Sequence, residues 1–276
     1  MIRTTRKQAG LSIISLMIAS AIGVFLMGGA GKIYLDSKNA FVARSTIAAA
    51  AESSRFAVQD LRRNLVMAGR GITEQNDNPG VYNLADNNLR TFPGVDADGT
   101  VAANSTGIID IDSNNSSAVA IRYASGPAPC GQDGTIDTTH TVRYYRNSDA
   151  ELMCQAIETV AGALNVGGAF ERAMASGVVF MRALYGVDTD ADGVANQYLT
   201  ATEVDNAGRW VNVVTIRIGM VTSSDNEELP YVYRPETAEQ MSVLGMEHTA
   251  DDTSHSFKTA SATIALRNLN TTVQRQ

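Results

Sequence analysis

The chain has 276 residues, 44 % of them hydrophobic, with 23 glycines, six prolines and a formal charge of −7. It is long enough to bury a sizeable core behind an N-terminal segment, and the scarcity of proline and lack of homopolymeric tracts exclude long disordered linkers. An acidic body with no Lys/Arg run after the first residues repels phosphates, so no direct nucleic-acid partner is expected.

Arg3, Arg6 and Lys7 lead to Gly10, and an uncharged apolar run of 21 residues follows from Leu11 to Gly31. As a helix at ~1.5 Å per residue the run is about 31 Å long, close to the ~30 Å hydrocarbon core of a bilayer. A secretory signal places its apolar region before the cleavage point, whereas here the processing candidate, Gly10, precedes it. Cleavage at Gly10 would keep the apolar helix on the product and move the formal charge from −7 to −10 by removing Arg3, Arg6 and Lys7. Ala19-Ser20-Ala21 leaves an ordinary cleaved signal as an alternative, and a plain uncleaved anchor is another.

The helical pattern continues past the apolar run. Ile47, Ala51, Ser54, Val58, Leu61 and Leu65 alternate at spacings of four and three, which predicts one packing stripe, and Gly69 and Gly71 supply the stop. A helix over Leu11–Ala68 is expected, lipid-compatible in its first half and amphipathic in its second. Gly23, Gly28, Gly29 and Gly31 either weaken the membrane half or let neighbouring helices approach closely. Residues 73–117 are rich in Asn, Asp, Gly and Ser, with turn signals at Asp77-Asn78-Pro79-Gly80 and Asp96-Ala97-Asp98-Gly99, and read as a long surface loop.

Strand-like alternation predicts strands at Ala118–Tyr123, Thr141–Arg146, Glu151–Gln155, Val178–Tyr185, Val211–Val221 and Thr259–Arg267. Asn147-Ser148-Asp149 joins the second and third as a hairpin. The expected fold class is α+β, a long N-terminal helix packed on a mainly antiparallel sheet. Cys130 and Cys154 flank one of these strands on the side of the anchor that an oxidising compartment would hold, so a disulfide is expected, closing a loop of roughly 25 residues.

The sharpest chemical motif is Asp188-Thr189-Asp190-Ala191-Asp192-Gly193-Val194-Ala195-Asn196. Acids at positions 1, 3 and 5 with glycine at 6 match the first half of an EF-hand-type calcium loop. Leu199 stands where the bidentate glutamate would be, so a calcium site would draw on Asp188, Asp190, Asp192, the Val194 carbonyl, Asn196 or a distant Glu203 or Asp205. A solvated acidic turn between strands is the other reading. Asp96, Asp98 and Gly99 are a weaker version of the same pattern. His140, His248 and His255 accompany no hydrolase, metalloprotease or phosphate-loop motif, and no catalysis is expected. His140 reads as a strand start with its ring at the surface, while His248 and His255, around Asp251-Asp252, read as scattered on a polar loop. Trp210 reads as strand packing.

Gly10-Leu11-Ser12-Ile13-Ile14-Ser15-Leu16-Met17-Ile18 resembles the signal of type IV prepilins. Arg55-Phe56-Ala57, Asp60-Leu61-Arg62-Arg63, Met67-Ala68-Gly69, Leu184-Tyr185-Gly186-Val187-Asp188-Thr189-Asp190 and Ala265-Leu266-Arg267-Asn268 are similar to the PilW-type minor pilins. The resemblance implies a leader at 1–10 cut between Gly10 and Leu11 by a prepilin peptidase, with methylation of Leu11. A filament-core helix at 11–31, its amphipathic continuation at 32–70 and an extracytoplasmic β-rich domain at 71–276 would follow. It also implies a non-catalytic subunit, held first in the inner membrane and then in the pilus at the cell surface, that primes assembly at or near the tip. The family's partners are other minor pilins, the major pilin, a PilY-type tip adhesin and the assembly platform; its pili serve twitching, adhesion or DNA uptake.

The family usually has glutamate where this chain has Ser15. A carboxylate in the apolar filament core is expensive unless paired, so its loss suits either a tip subunit with no neighbour beyond it or a tolerated change in a scarce subunit. Two other identities share parts of this pattern: a pseudopilin of type II secretion, and a membrane-anchored calcium-binding adhesion module.

Overall fold

A computed structural model describes residues 13–71, 92, 116–137, 140–160, 163–164, 169–224 and 227–268. The expected leader at 1–10, with Gly10, and the expected first mature residue Leu11 lie outside these residues, as do nearly all of the expected loop at 73–117 and the Asp96, Asp98 and Gly99 cluster.

Helix α1 runs unbroken over Ile13–Leu65, 53 residues, through Gly23, Gly28, Gly29 and Gly31. At ~1.5 Å per residue it is about 80 Å long. Its chain then turns back: Gly69 and Gly71 adopt φ of +78° and +73°, a left-handed backbone that favours glycine, and a Cβ on Gly71 would overlap Ser125. The Asn268 amide donates to the carbonyls of Val66 and Ala68 at 2.9 and 3.1 Å, closing off the orphan carbonyls at this end.

The docked face of α1 is Ala43, Thr46, Ala50, Ser54, Ala57, Leu61 and Leu65. The predicted stripe shares Ser54, Leu61 and Leu65 with it, but Ile47 is 41 % exposed and Ala51 and Val58 are only partly covered. The face is turned toward the small residues because the helix backbone lies close to the sheet. Thr222 Oγ1 donates to the Ala50 carbonyl at 3.1 Å, and Ser53 Oγ to the Ser176 carbonyl at 2.8 Å.

Two antiparallel sheets follow. In chain order the strands are β1 (Val119–Tyr123), β2 (Gly126–Pro127), β3 (Thr135–Ile136), β4 (His140–Arg146), β5 (Leu152–Val160), β6 (Ala163–Leu164), β7 (Phe170–Ala175), β8 (Val178–Val187) and β9 (Gln197–Leu199). Helix α2 (Ala201–Asn206) then precedes β10 (Val213–Ser223), β11 (Gln240–Val243), β12 (Met246–Thr249) and β13 (Phe257–Ala265). The first sheet has the order β1-β4-β5-β6, with β7 also paired to β5, and the second has β13-β10-β8-β9. They meet where the Ser117 N–H donates to the Met181 carbonyl at 2.7 Å and the Met181 N–H to Ser116 Oγ at 2.9 Å.

The six predicted strands are present, and β4 and β5 pair as the expected hairpin. Asn147 Oδ1 accepts the N–H groups of Asp149 and Glu151 at 3.0 and 2.8 Å, which sets the turn. The core joins Leu61 and Leu65 of α1 to Ile121, Tyr144, Leu152, Met181, Ile216 and Ile264 of the sheets.

A second apolar cluster sits on the outer face of the second sheet, where Met241 and Val243 of the β11–β12 hairpin cover Val179, Phe180, Val221 and Phe257. Gly219 makes this approach possible, since a Cβ there would overlap Val243 and crowd Leu244 at 2.9 Å. Gly219→Ala is therefore expected to lift the hairpin at a cost of about 1–3 kcal/mol. A lowered urea midpoint with early proteolysis inside 240–249 would bear this out; an unchanged midpoint would refute it.

Candidate functional site

Two regions stand apart from the packed core. The first is the N-terminal half of α1. Ile13, Leu16, Met17, Val24, Phe25 and Met27 are all exposed, Phe25 by 83 %, and they point to every side of the helix. Such an all-round apolar surface is stable only in lipid or among other apolar helices. Among the described residues this is the one helix long and apolar enough to cross a membrane. Ser15 lies on this exposed stretch.

The second is the loop between β8 and β9. It begins where Gly186 packs so closely that a Cβ would overlap Thr215 Oγ1 and Ala195. Ligand atoms of Asp188, Asp190 and Asp192 lie within 4.8 Å of one another, with Asp188 buried and the other two exposed. Asp188 Oδ1 accepts the N–H groups of Asp190 and Ala191 at 3.1 and 2.7 Å, and its Oδ2 accepts that of Gly193 at 2.7 Å. Burial pushes the Asp188 carboxyl up, but the N–H groups of Gly193, Ala191 and Asp190 outweigh it and hold the group below its ordinary range. Asp192 accepts from the Val194 N–H at 2.7 Å.

The remaining predicted donors are differently placed. Asn196 Oδ1 accepts from the Thr189 N–H at 2.6 Å, while its Nδ2 faces Asp190 Oδ2 at 3.3 Å. Glu203 caps α2 reciprocally with Thr200, whose backbone N–H and hydroxyl hold the carboxyl below its usual range. Asp205 accepts from Trp210 Nε1 at 3.0 Å. Of the candidate acids, three converge and two do other work.

Trp210 is buried as core packing, but in a 3-10 turn before β10 rather than in the strand; its ring lies 4.9 Å from that of Tyr185 and 5.6 Å from that of Phe92. His140 opens β4 half-buried. His248 is not on a loop: it belongs to β12 and stacks on Phe180 with centroids 4.8 Å apart. Burial lowers its pKa, Asp251 opposes this, and Arg146 adds to it. His255 Nδ1 meets Asp252 Oδ2 at 2.7 Å. The β11–β12 hairpin escaped the sequence reading, although Leu244-Gly245, at φ of +50° and +78° between two alternating quartets, is its signal.

Cys130 and Cys154 form a disulfide with Cα atoms 5.4 Å apart, both within the core. It ties the turn at Pro129–Gly131 to β5.

The family model described as type IV pilus-assembly protein W, PilW, matches residues 139–268. That span, a little under half of the chain, is similar to the PilW family. It takes in β4 to β13, the Asp188 loop and Asn268 at the end of α1. A type IV-like pilin from Thermus thermophilus is similar to this chain over 79 % of its length and 97 % of the pilin's, at 11 % identity and a TM-score of 0.43. No curated protein matches the chain. The matched span packs directly on the second half of α1 through β13 and β10.

Proposed function

We propose that the chain is a non-catalytic minor pilin. Residues 11–31 hold it in the inner membrane after cleavage between Gly10 and Leu11, and the domain lies outside the cytoplasm. It primes assembly at or near the pilus tip with other minor pilins, the major pilin and a PilY-type adhesin. The observation that carries this reading is the union of a span similar to PilW with a helix left bare and apolar on all sides over its first half. A helix of that kind is satisfied by lipid before assembly and by neighbouring helices after it. Deleting the chain is expected to reduce surface pili severely with protein secretion intact. Loss of secretion with normal piliation would identify a type II secretion pseudopilin instead.

The convergence of Asp188, Asp190 and Asp192 supports a second element of this reading, a weak calcium site. The donors are hard oxygens, and without a bidentate glutamate the affinity belongs with extracellular modules, at a Kd of roughly 10⁻⁴ to 10⁻³ M. At about 10 mM calcium such a site adds about 1.5–3 kcal/mol, which raises Tm by roughly 3–10 °C. Asp190→Ala with Asp192→Ala removes the rise and leaves the hydrogen bonds of Asp188 in place. An equal rise in that variant, or none in the parent, refutes the site. Should Asp188, Asp190 and Asp192 changed together to Ala abolish attachment while pili stay normal in number, the anchored adhesion module becomes the better description.

A further inference from the structure

The excursion from Ser224 to Ser256, between β10 and β13, carries a surface that neither α1 nor the core explains. Pro230 and Pro235 bracket Tyr231-Val232-Tyr233-Arg234, and Tyr231, Val232 and Tyr233 are 87, 75 and 48 % exposed. Outside α1, no other run of described residues exposes three large apolar side chains in succession.

The turn that presents them is anchored from beneath. Tyr231–Tyr233 form one 3-10 turn, closed by the Tyr233 N–H on the Pro230 carbonyl at 2.8 Å. Buried Leu229 ties it to the second sheet's flank, its N–H donating to the Ser254 carbonyl at 2.7 Å. Arg234 Nε donates to the Leu229 carbonyl at 2.8 Å, and its other end pairs with Glu228. The aromatic groups are thus held out in water at little further entropic cost on binding, which is how interface anchors gain affinity. Tyrosine is also among the residues that dominate such anchors.

The form of the surface selects the occupant. It is a convex knob, whereas sites for sugars and small ligands are concave and supply convergent polar groups. A knob needs the concavity on the other side. Its charge is one-sided too: within residues 227–239, Glu227, Glu228, Glu236 and Glu239 are exposed and the one cation, Arg234, pairs with Glu228. We propose that Tyr231, Val232 and Tyr233 anchor this chain in an apolar pocket rimmed by Lys and Arg on another protein. This holds whatever position the chain takes in a filament, and does not depend on the pilin reading.

The test uses the full-length chain in the membranes of cells that make it, with p-benzoylphenylalanine in place of Val232 and, as a control, in place of exposed Thr263 on β13. Illumination is expected to yield one discrete protein adduct from position 232 and not from 263, with the linked peptide apolar and flanked by Lys or Arg. Tyr231→Ser with Tyr233→Ser should cut the adduct by at least about tenfold. Glu236→Lys with Glu239→Lys, which leaves the turn's own contacts alone, should also cut it. Chain abundance and the Cys130–Cys154 disulfide serve as the fold check. Adducts equal at both positions, an adduct to lipid or polysaccharide, a linked peptide rimmed by acids, or an adduct insensitive to both double variants would each overturn the proposal.

Discussion

Gly10→Val is expected to leave the chain uncut, still carrying Arg3, Arg6 and Lys7, and absent from sheared pili. The reason is electrostatic. An uncleaved leader attaches three cations to the end of the helix that must pack among apolar neighbours, and a charge at the centre of such an environment costs about 2.5–3.5 kcal/mol or more. The parent chain should begin at methylated Leu11, and only in cells with a prepilin peptidase; intact mass and N-terminal sequencing read both. A parent chain that begins after Ala21, or still at Met1, would remove the pilin reading and promote the anchored adhesion module. Because α1 buries no residue from Ile13 to Leu35, the Gly10 variant should retain its melting midpoint. Maturation and folding are thereby separable.

Replacing Cys130 and Cys154 by serine should lower stability by about 3 kcal/mol, the chain-entropy value for a loop of this size. For a domain of about 150–250 residues that is a fall in Tm of roughly 6–12 °C. Both sulfurs lie in the core, Cys154 fully buried, so the variant also places two hydroxyls within the apolar cluster. Reductant should lower the midpoint of the parent and leave that of the variant unchanged. A shift of under about 1 kcal/mol would show that the turn at Pro129–Gly131 is held by its own contacts, among them Arg172 on the Gly131 carbonyl.

The long apolar helix and the core strands were legible because both signals are local. An apolar run of 21 residues after three cations needs no tertiary partner to be recognised, and period-two alternation marks β1, β4, β5, β8, β10 and β13 wherever one face is buried. The β4–β5 turn was legible for the same reason, since Asn147 makes its hydrogen bonds within five residues. The β11–β12 hairpin was not. Its acids and histidine read as a polar loop, and its apolar residues acquire meaning only against Gly219 and Phe180, which lie in distant strands.

The sequence by itself determined the long apolar helix, the strand content, the cysteine pair and the three acids of the Asp188 loop, because each follows from composition over a few neighbouring residues. The tertiary structure decided which side of α1 is buried. Hydrophobicity favours Ile47 and Val58, but a helix pressed close to a sheet selects Ala43, Thr46, Ala50 and Ala57 for their size. It likewise decided that Glu203 and Asp205 serve α2 and Trp210 rather than the acidic loop. It also set Tyr231 and Tyr233 out in solvent. Burial is a relation between distant segments, and no local pattern carries it.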